Sequence, residues 1–305
     1  MSQLGESTGT SAWWYVVVVV VAVLIGAVVA PYAPSLSSPQ PDRVAVVSLD
    51  GPITSNSVEA VREDLRQVRQ DGSVRAVVLR VNSPGGTVAA TESLYLAVNK
   101  TASRKPVVAS VSGVGASGAY WAMLPADRIY TTPGSLVGSV GVIGSVPSGP
   151  SISGGQLVTG PDKQTGGTAD DVRTRLETLQ TLFLDTVYEH RGEELRSNGT
   201  PREQLAYAKV YSGARAVENG VADRIGGIDS AIAHAANEAG IDNYRVLRLE
   251  PPRRNVGILL AGGDGAGNRT VLLEEDPFGF RGVETTQYYA LYGRLANDTE
   301  VSADG

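Results

Sequence analysis

Between residues 43 and 131, apolar runs of strand length alternate with runs of helical period. That alternation constrains the fold more than any other feature. The runs read as strand 43–49, helix 57–69, strand 76–81, helix 87–99, strand 106–111, helix 118–124 and strand 127–131. Strands joined through helices require crossovers, and crossovers that pack back onto the sheet make it parallel and right-handed. The predicted class is therefore α/β. Residues 170–191 also keep a helical period and would pack across the domain or project from it. The organisation reads as a polar tail over 1–11, an apolar anchor over 12–30, a Pro/Ser-rich linker over 31–42, one domain over 43–250 and a tail over 251–305.

Two of the predicted strands end in glycine-rich turns. The first is Asn82-Ser83-Pro84-Gly85-Gly86-Thr87 and the second is Gly113-Val114-Gly115-Ala116-Ser117-Gly118-Ala119-Tyr120. Each alone reads equally well as a packing turn. At the C-terminal ends of neighbouring parallel strands, however, they occupy the place where α/β folds bind ligands. Ser117 would sit at a helix N-terminus, where free N–H groups and the positive dipole end stabilise an oxyanion. The amides of Gly86 and Gly118 could form its two arms.

A serine nucleophile needs a base. The chain has two histidines and no cysteine. His190 and His234 both lie in ordinary helical runs. Among the lysines, Lys100 and Lys105 flank a surface turn and Lys209 follows a polar helix. Lys163 follows a short strand and a turn, Leu157-Val158-Thr159-Gly160-Pro161-Asp162. Elimination makes Ser117 and Lys163 the best catalytic pair; Lys163 taken alone reads as a solvated loop residue.

Several segments, in order, carry a resemblance. They are Asn82-Ser83-Pro84-Gly85-Gly86, Gly115-Ala116-Ser117-Gly118-Ala119-Tyr120, Pro125-Ala126-Asp127-Arg128-Ile129, Pro133-Gly134-Ser135 and Gly138-Ser139-Val140-Gly141-Val142-Ile143. The stretch from Tyr211 to Gly227, with Val221-Ala222-Asp223, continues the series. Over roughly residues 43–240 the chain resembles the signal peptide peptidase A family of serine proteases, within the Clp/crotonase-like fold group. The resemblance implies Ser117 as nucleophile, Lys163 as general base, Gly86 and Gly118 as oxyanion donors, and Ser139 as the hydroxyl that orients the lysine. It further implies a ring-shaped homo-oligomer and peptide substrates such as cleaved signal peptides or membrane-protein fragments. The approach to Lys163 is shorter than the family's and rich in Gly, Ser and Pro.

Residues 12–30 carry no charge and include six consecutive valines. As a helix they would extend about 29 Å, close to the hydrocarbon thickness of a bilayer. Trp13, Trp14 and Tyr15 would form an interfacial belt, with Tyr32 at the other side. A cleaved signal peptide would want a basic start, whereas residues 1–11 contain Glu6 and no Lys or Arg. A retained anchor in the lipid bilayer is therefore expected. The nearest basic residue, Arg43, leans toward a cytoplasmic C-terminal side. The family places its catalytic domain outside the cytoplasmic membrane, and that placement is adopted. Four N-x-T sequons, at Asn99, Asn198, Asn268 and Asn297, are compatible with it.

The tail contains a glycine-rich run over 261–267 with too few side chains for a core, then Tyr288-Tyr289-Ala290-Leu291-Tyr292, a candidate docking segment. A net charge of −6 argues against nucleic acid as a partner. No Cys/His cluster suggests a metal, and no glycine turn ends in the Gly-Lys-Ser/Thr of a phosphate loop, so no cofactor is expected. Two alternatives stay open: a crotonase-like acyl-CoA enzyme, and a non-catalytic membrane scaffold partnered to stomatin-like proteins.

Overall fold

The computed structural model describes residues 12–29, 41–145, 167–249 and 288–291. The chain divides into two units, Met1–Pro41 and Asp42–Gly305. The first contributes α1 (Ala12–Val29), an uncharged helix whose Trp13, Trp14 and Leu24 are exposed. Its 18 residues extend about 27 Å. Among the described residues no helix is long and apolar enough to cross a membrane.

In the second unit the order is β1 (Arg43–Asp50), α2 (Ser55–Gln70), β2 (Val74–Ser83), β3 (Gly85–Thr87), α3 (Val88–Ala102), β4 (Val107–Ala116), α4 (Gly118–Met123), β5 (Arg128–Thr131), β6 (Leu136–Gly138) and β7 (Ile143–Gly144). Then follow α5 (Ala169–Ser197), α6 (Arg202–Ala206), β8 (Val210–Ser212), α7 (Gly213–Glu218), β9 (Arg224–Ile225), α8 (Ile228–Glu238), β10 (Arg245–Leu249) and β11 (Tyr288–Leu291). The main sheet runs β10-β1-β2-β4-β5-β9, every neighbouring pair parallel. β6 extends it beside the end of β4 and pairs antiparallel with β8. β3, β11 and β7 form a separate antiparallel sheet in that order.

Alternation along each strand sorts the side chains. In β1, Val44 and Val46 face a small core closed by Ala231, Ile232, Ala235 and Ala236 of α8. Ala45, Val47 and Leu49 face the larger core, built with α2, α3, α4 and α5. α2 shows why these residues make this element. Thr54 and Ser57 close a reciprocal capping box at its start, and Val58, Val61, Leu65 and Val68 repeat at intervals of three and four on the buried face. At its other end the Lys105 ammonium donates to the carbonyls of Val68, Asp71 and Val74 at 2.5–2.7 Å. Val68 and Asp71 are acceptors that the helix end leaves open, and Val74 begins β2, so the ammonium ties the end of α2 to the start of that strand.

α5 and α3 meet through a polar contact. Tyr95 Oη and His190 Nε2 are 2.9 Å apart, with the rings edge-on. Burial holds the half-buried His190 imidazole below its ordinary range, with Glu189 acting in the opposite direction. The folded state therefore binds fewer protons than the unfolded state just below pH ~6.5. His190 contributes its full stability above that pH and loses it as pH falls toward the folded value. The urea midpoint is expected to drop between pH 7 and pH 5, and His190→Gln to flatten that drop. An equal drop in the variant would overturn the assignment.

Candidate active site

β4 runs five residues beyond the apolar stretch that ended at Val111, to Ala116. The glycine-rich segment expected to turn stays extended, and the strand-to-helix turn narrows to Ser117. Neighbours hold it straight. Asn82 Oδ1 accepts from Val114 N at 3.2 Å, Ser83 pairs with Gly115, and Leu136, Val137 and Gly138 of β6 pair with Val114, Gly115 and Ala116. A Cβ on Gly113 would lie 2.4 Å from Asn82 Oδ1, so the close approach needs glycine there.

Ser117 caps α4 at φ 54°, ψ −119° and is 1 % exposed. A non-glycine residue in this region costs on the order of 1–3 kcal/mol and persists only where surroundings over-determine it. Here they do. Ser117 N donates to Gly138 O at 2.7 Å, Ser117 O accepts from Trp121 N at 2.9 Å, and Ser117 Oγ donates to Gly141 O at 3.3 Å. The segment from Gly138 to Gly141 thus grips both the backbone and the hydroxyl of this serine. Ser139 lies within it at φ 57°, its N–H donating to Lys209 O at 2.8 Å. Gln180 of α5 braces the same segment by donating to Val140 O at 3.1 Å.

Below Ser117 the short α4 is fully buried. Trp121 stacks on Phe183 of α5 with centroids 4.5 Å apart, and Tyr120 Oη donates to Val221 O at 2.9 Å. Burial pushes the Tyr120 phenol well above its ordinary range, which keeps it a neutral donor. Gly118 follows Ser117 directly, and the first N–H groups of α4 have no carbonyl one turn earlier to bond.

Gly86 lies in β3, which contacts α4. A Cβ on Gly86 would lie 1.9 Å from Ile53 O, so no other residue fits. Ile53 N donates to Gly85 O at 2.8 Å and Thr87 N donates to Ile53 O at 3.1 Å. Strand residues point their N–H and C=O alternately to the two sides, so those of Gly86 face away from Ile53 and toward β11.

Ser117 and Gly118 thus adjoin at the junction of β4 and α4, Gly86 lies on β3, which contacts α4, and Ser139 directly follows β6, which pairs with the end of β4. Lys163 lies outside the described residues. Four of the described histidines and lysines are engaged elsewhere. His190 bonds Tyr95, His234 packs beside Tyr130 at a centroid distance of 5.7 Å, Lys105 caps α2, and Lys209 lies over the Tyr207 ring. Among the described residues no cluster of acidic, His or Cys side chains could hold a metal. Sequence reasoning missed Gly138 and Gly141 as the carbonyls that hold Ser117, and Asn82 as the prop for β4. Gly138-Ser139-Val140-Gly141 offered only glycine spacing as a signal.

The model of peptidase family S49 matches residues 99–148 and 163–242, stretches that include Ser117, Ser139 and Lys163. Protease 4 of Salmonella typhi is 32% identical over 211 residues, 65% of this chain and 34% of that protein. The chain spans about a third of the length of that relative and of the Haemophilus influenzae Protease 4. A protein of Methanocaldococcus jannaschii described as a candidate protease is 33% identical over 219 residues, 67% of this chain and 69% of that protein. A solved structure of a membrane-bound stomatin-specific protease, a lysine-to-alanine mutant with a substrate peptide, has the same fold. Its TM-score is 0.50 at 18% identity, covering 70% of this chain and 94% of that one. Matched by the family model on both sides of the serine turn, and over two thirds of the M. jannaschii protein, the chain belongs to peptidase family S49.

Proposed function

We propose that this protein is a membrane-anchored serine endopeptidase that hydrolyses peptide bonds in signal-peptide remnants or membrane-protein fragments. The observation that carries the reading is Ser117. Its hydroxyl is held in a strained turn at the junction of β4 and α4, beside the edge of β3. In this reading Lys163 takes the Ser117 Oγ proton while Oγ bonds the carbonyl carbon. The N–H groups of Gly86 and Gly118 receive the oxyanion. The C–N bond then breaks, the leaving amine takes the proton from the Lys163 ammonium, and water releases the acyl group from Ser117. Ser139 orients the amine. A free lysine titrates near ~10.4, so a base working near neutrality must lie about three units lower. Burial against apolar groups is the usual cause.

Membership of the S49 family supports the peptidase chemistry. The charge-free sequence over 12–30, with Trp13, Trp14 and Tyr15 near its start, supports an anchor in the bilayer. In this reading the catalytic domain lies outside the cytoplasmic membrane and assembles as a homo-oligomeric ring, both supported by the family resemblance of the sequence. The test is turnover of a hydrophobic signal-peptide-like substrate by the full-length chain in detergent, beside Lys163→Ala. Loss of a general base is expected to lower kcat at least ~10²-fold. Unchanged turnover in Lys163→Ala would remove the lysine from the mechanism.

A further inference from the structure

One segment of the tail enters the site. Residues Tyr288–Leu291 form β11, the central strand between β3 and β7. Tyr289, Ala290 and Leu291 stand opposite Thr87, Gly86 and Gly85, while Tyr288 and Tyr289 stand opposite Gly144 and Ile143. β3 leads into α3 just beside α4, and β7 follows two residues after Gly141, the acceptor of the Ser117 hydroxyl. β11 also contacts α4.

These two edges have no other covering strand among the described residues. Without β11, β3 would present the N–H and C=O of Gly86 unpaired toward the serine turn. An extended peptide laid there gains main-chain hydrogen bonds on both sides, the strand-addition mode of peptide recognition. The chain's own residues already do this, antiparallel to β3, with Ala290 directly opposite Gly86. Because the polar groups of Gly86 face β11, the carbonyl of Ala290 meets the N–H that the proposed mechanism uses for the oxyanion.

We infer that residues 288–291 are a self-ligand of the peptide groove, holding the enzyme in an occluded state that a substrate must displace. The inference rests on the peptidase reading, which supplies the groove with its substrate. A tethered segment has an effective concentration on the order of a millimolar, so one that binds even near 0.1 mM raises the apparent KM roughly tenfold and leaves kcat alone.

The chain has no cysteine, which makes a covalent trap unambiguous. Since Gly86 and Ala290 face each other with their polar groups, Thr87 and Tyr289 are the neighbouring non-hydrogen-bonded pair. Their Cα atoms are then about 4.5 Å apart, within disulfide range. In full-length Thr87→Cys/Tyr289→Cys, mild oxidation is expected to form an intrachain disulfide and to lower peptide turnover at least ~10-fold. Reductant should restore turnover, and Tyr289→Pro/Ala290→Pro should lower KM about tenfold. Failure to form the disulfide, a disulfide between two chains, or full turnover by the oxidised form would overturn the inference. If no form cleaves peptides, the peptidase reading fails, while the yield of intrachain disulfide still decides whether the tail sits in the groove.

Discussion

Ser117→Ala is expected to lower kcat/KM for a peptide substrate by on the order of 10⁴-fold or more, with the fold intact. Removing a nucleophile leaves only binding and oxyanion stabilisation, which together give a small residue of the rate. The fold should survive because the bond from Ser117 N to Gly138 O and the one from Trp121 N to Ser117 O are both main-chain. The hydroxyl's own hydrogen bond, to Gly141 O, is long at 3.3 Å. Ser117→Gly should be equally inactive yet more stable than Ser117→Ala, because φ 54°, ψ −119° strains a residue with a Cβ. Turnover and urea midpoints of the two variants check both halves. Wild-type turnover in either variant would place the nucleophile elsewhere.

Asp223→Ala is expected to cost about 3–5 kcal/mol of folding stability, because it strands a buried guanidinium. Arg191 and Asp223 are 4% and 5% exposed at the side chain and are joined by two contacts, of 2.9 and 3.0 Å. The carboxylate also accepts from Ile129 N at 2.7 Å, and Arg191 donates to Gly220 O at 3.0 Å. The pair thus ties α5, β5 and the turn before β9 together beneath the serine turn. With the carboxylate gone, Arg191 keeps only the Gly220 carbonyl. Urea unfolding should show Asp223→Ala far below wild type, and the apolar double variant Arg191→Met/Asp223→Leu much closer to it. A single variant that loses less than about 1 kcal/mol would mean that water solvates Arg191 once the carboxylate is gone, and would overturn the stranded-charge argument.

The parallel sheet and its crossover helices were legible because alternation of apolar runs with helical periods permits few other arrangements. The same reading placed the N-terminal end of α4 at Gly118. It mistook the stretch before Ser117 for a turn, because a glycine-rich run such as Gly113-Val114-Gly115-Ala116 looks alike whether it bends or runs straight. Asn82 and the register of β6 straighten them, and neither is local in sequence. Likewise Asp223 stood out only as part of a resemblance. Its partner Arg191 lies 32 residues earlier on a helix, and nothing in its neighbourhood marks it as buried.

Local pattern therefore decided the α/β class, the long helix read over 170–191 and observed over 169–197, and the serine that heads α4, because propensity, capping and hydrophobic period act over a few residues. Tertiary packing decided the rest. Which carbonyls hold Ser117, which way the amide of Gly86 faces, and which strand lies across it depend on segments 20 to 200 residues apart. Hydrogen-bond direction in a sheet is set by the neighbour that pairs with it, and no run of side chains encodes that neighbour alone.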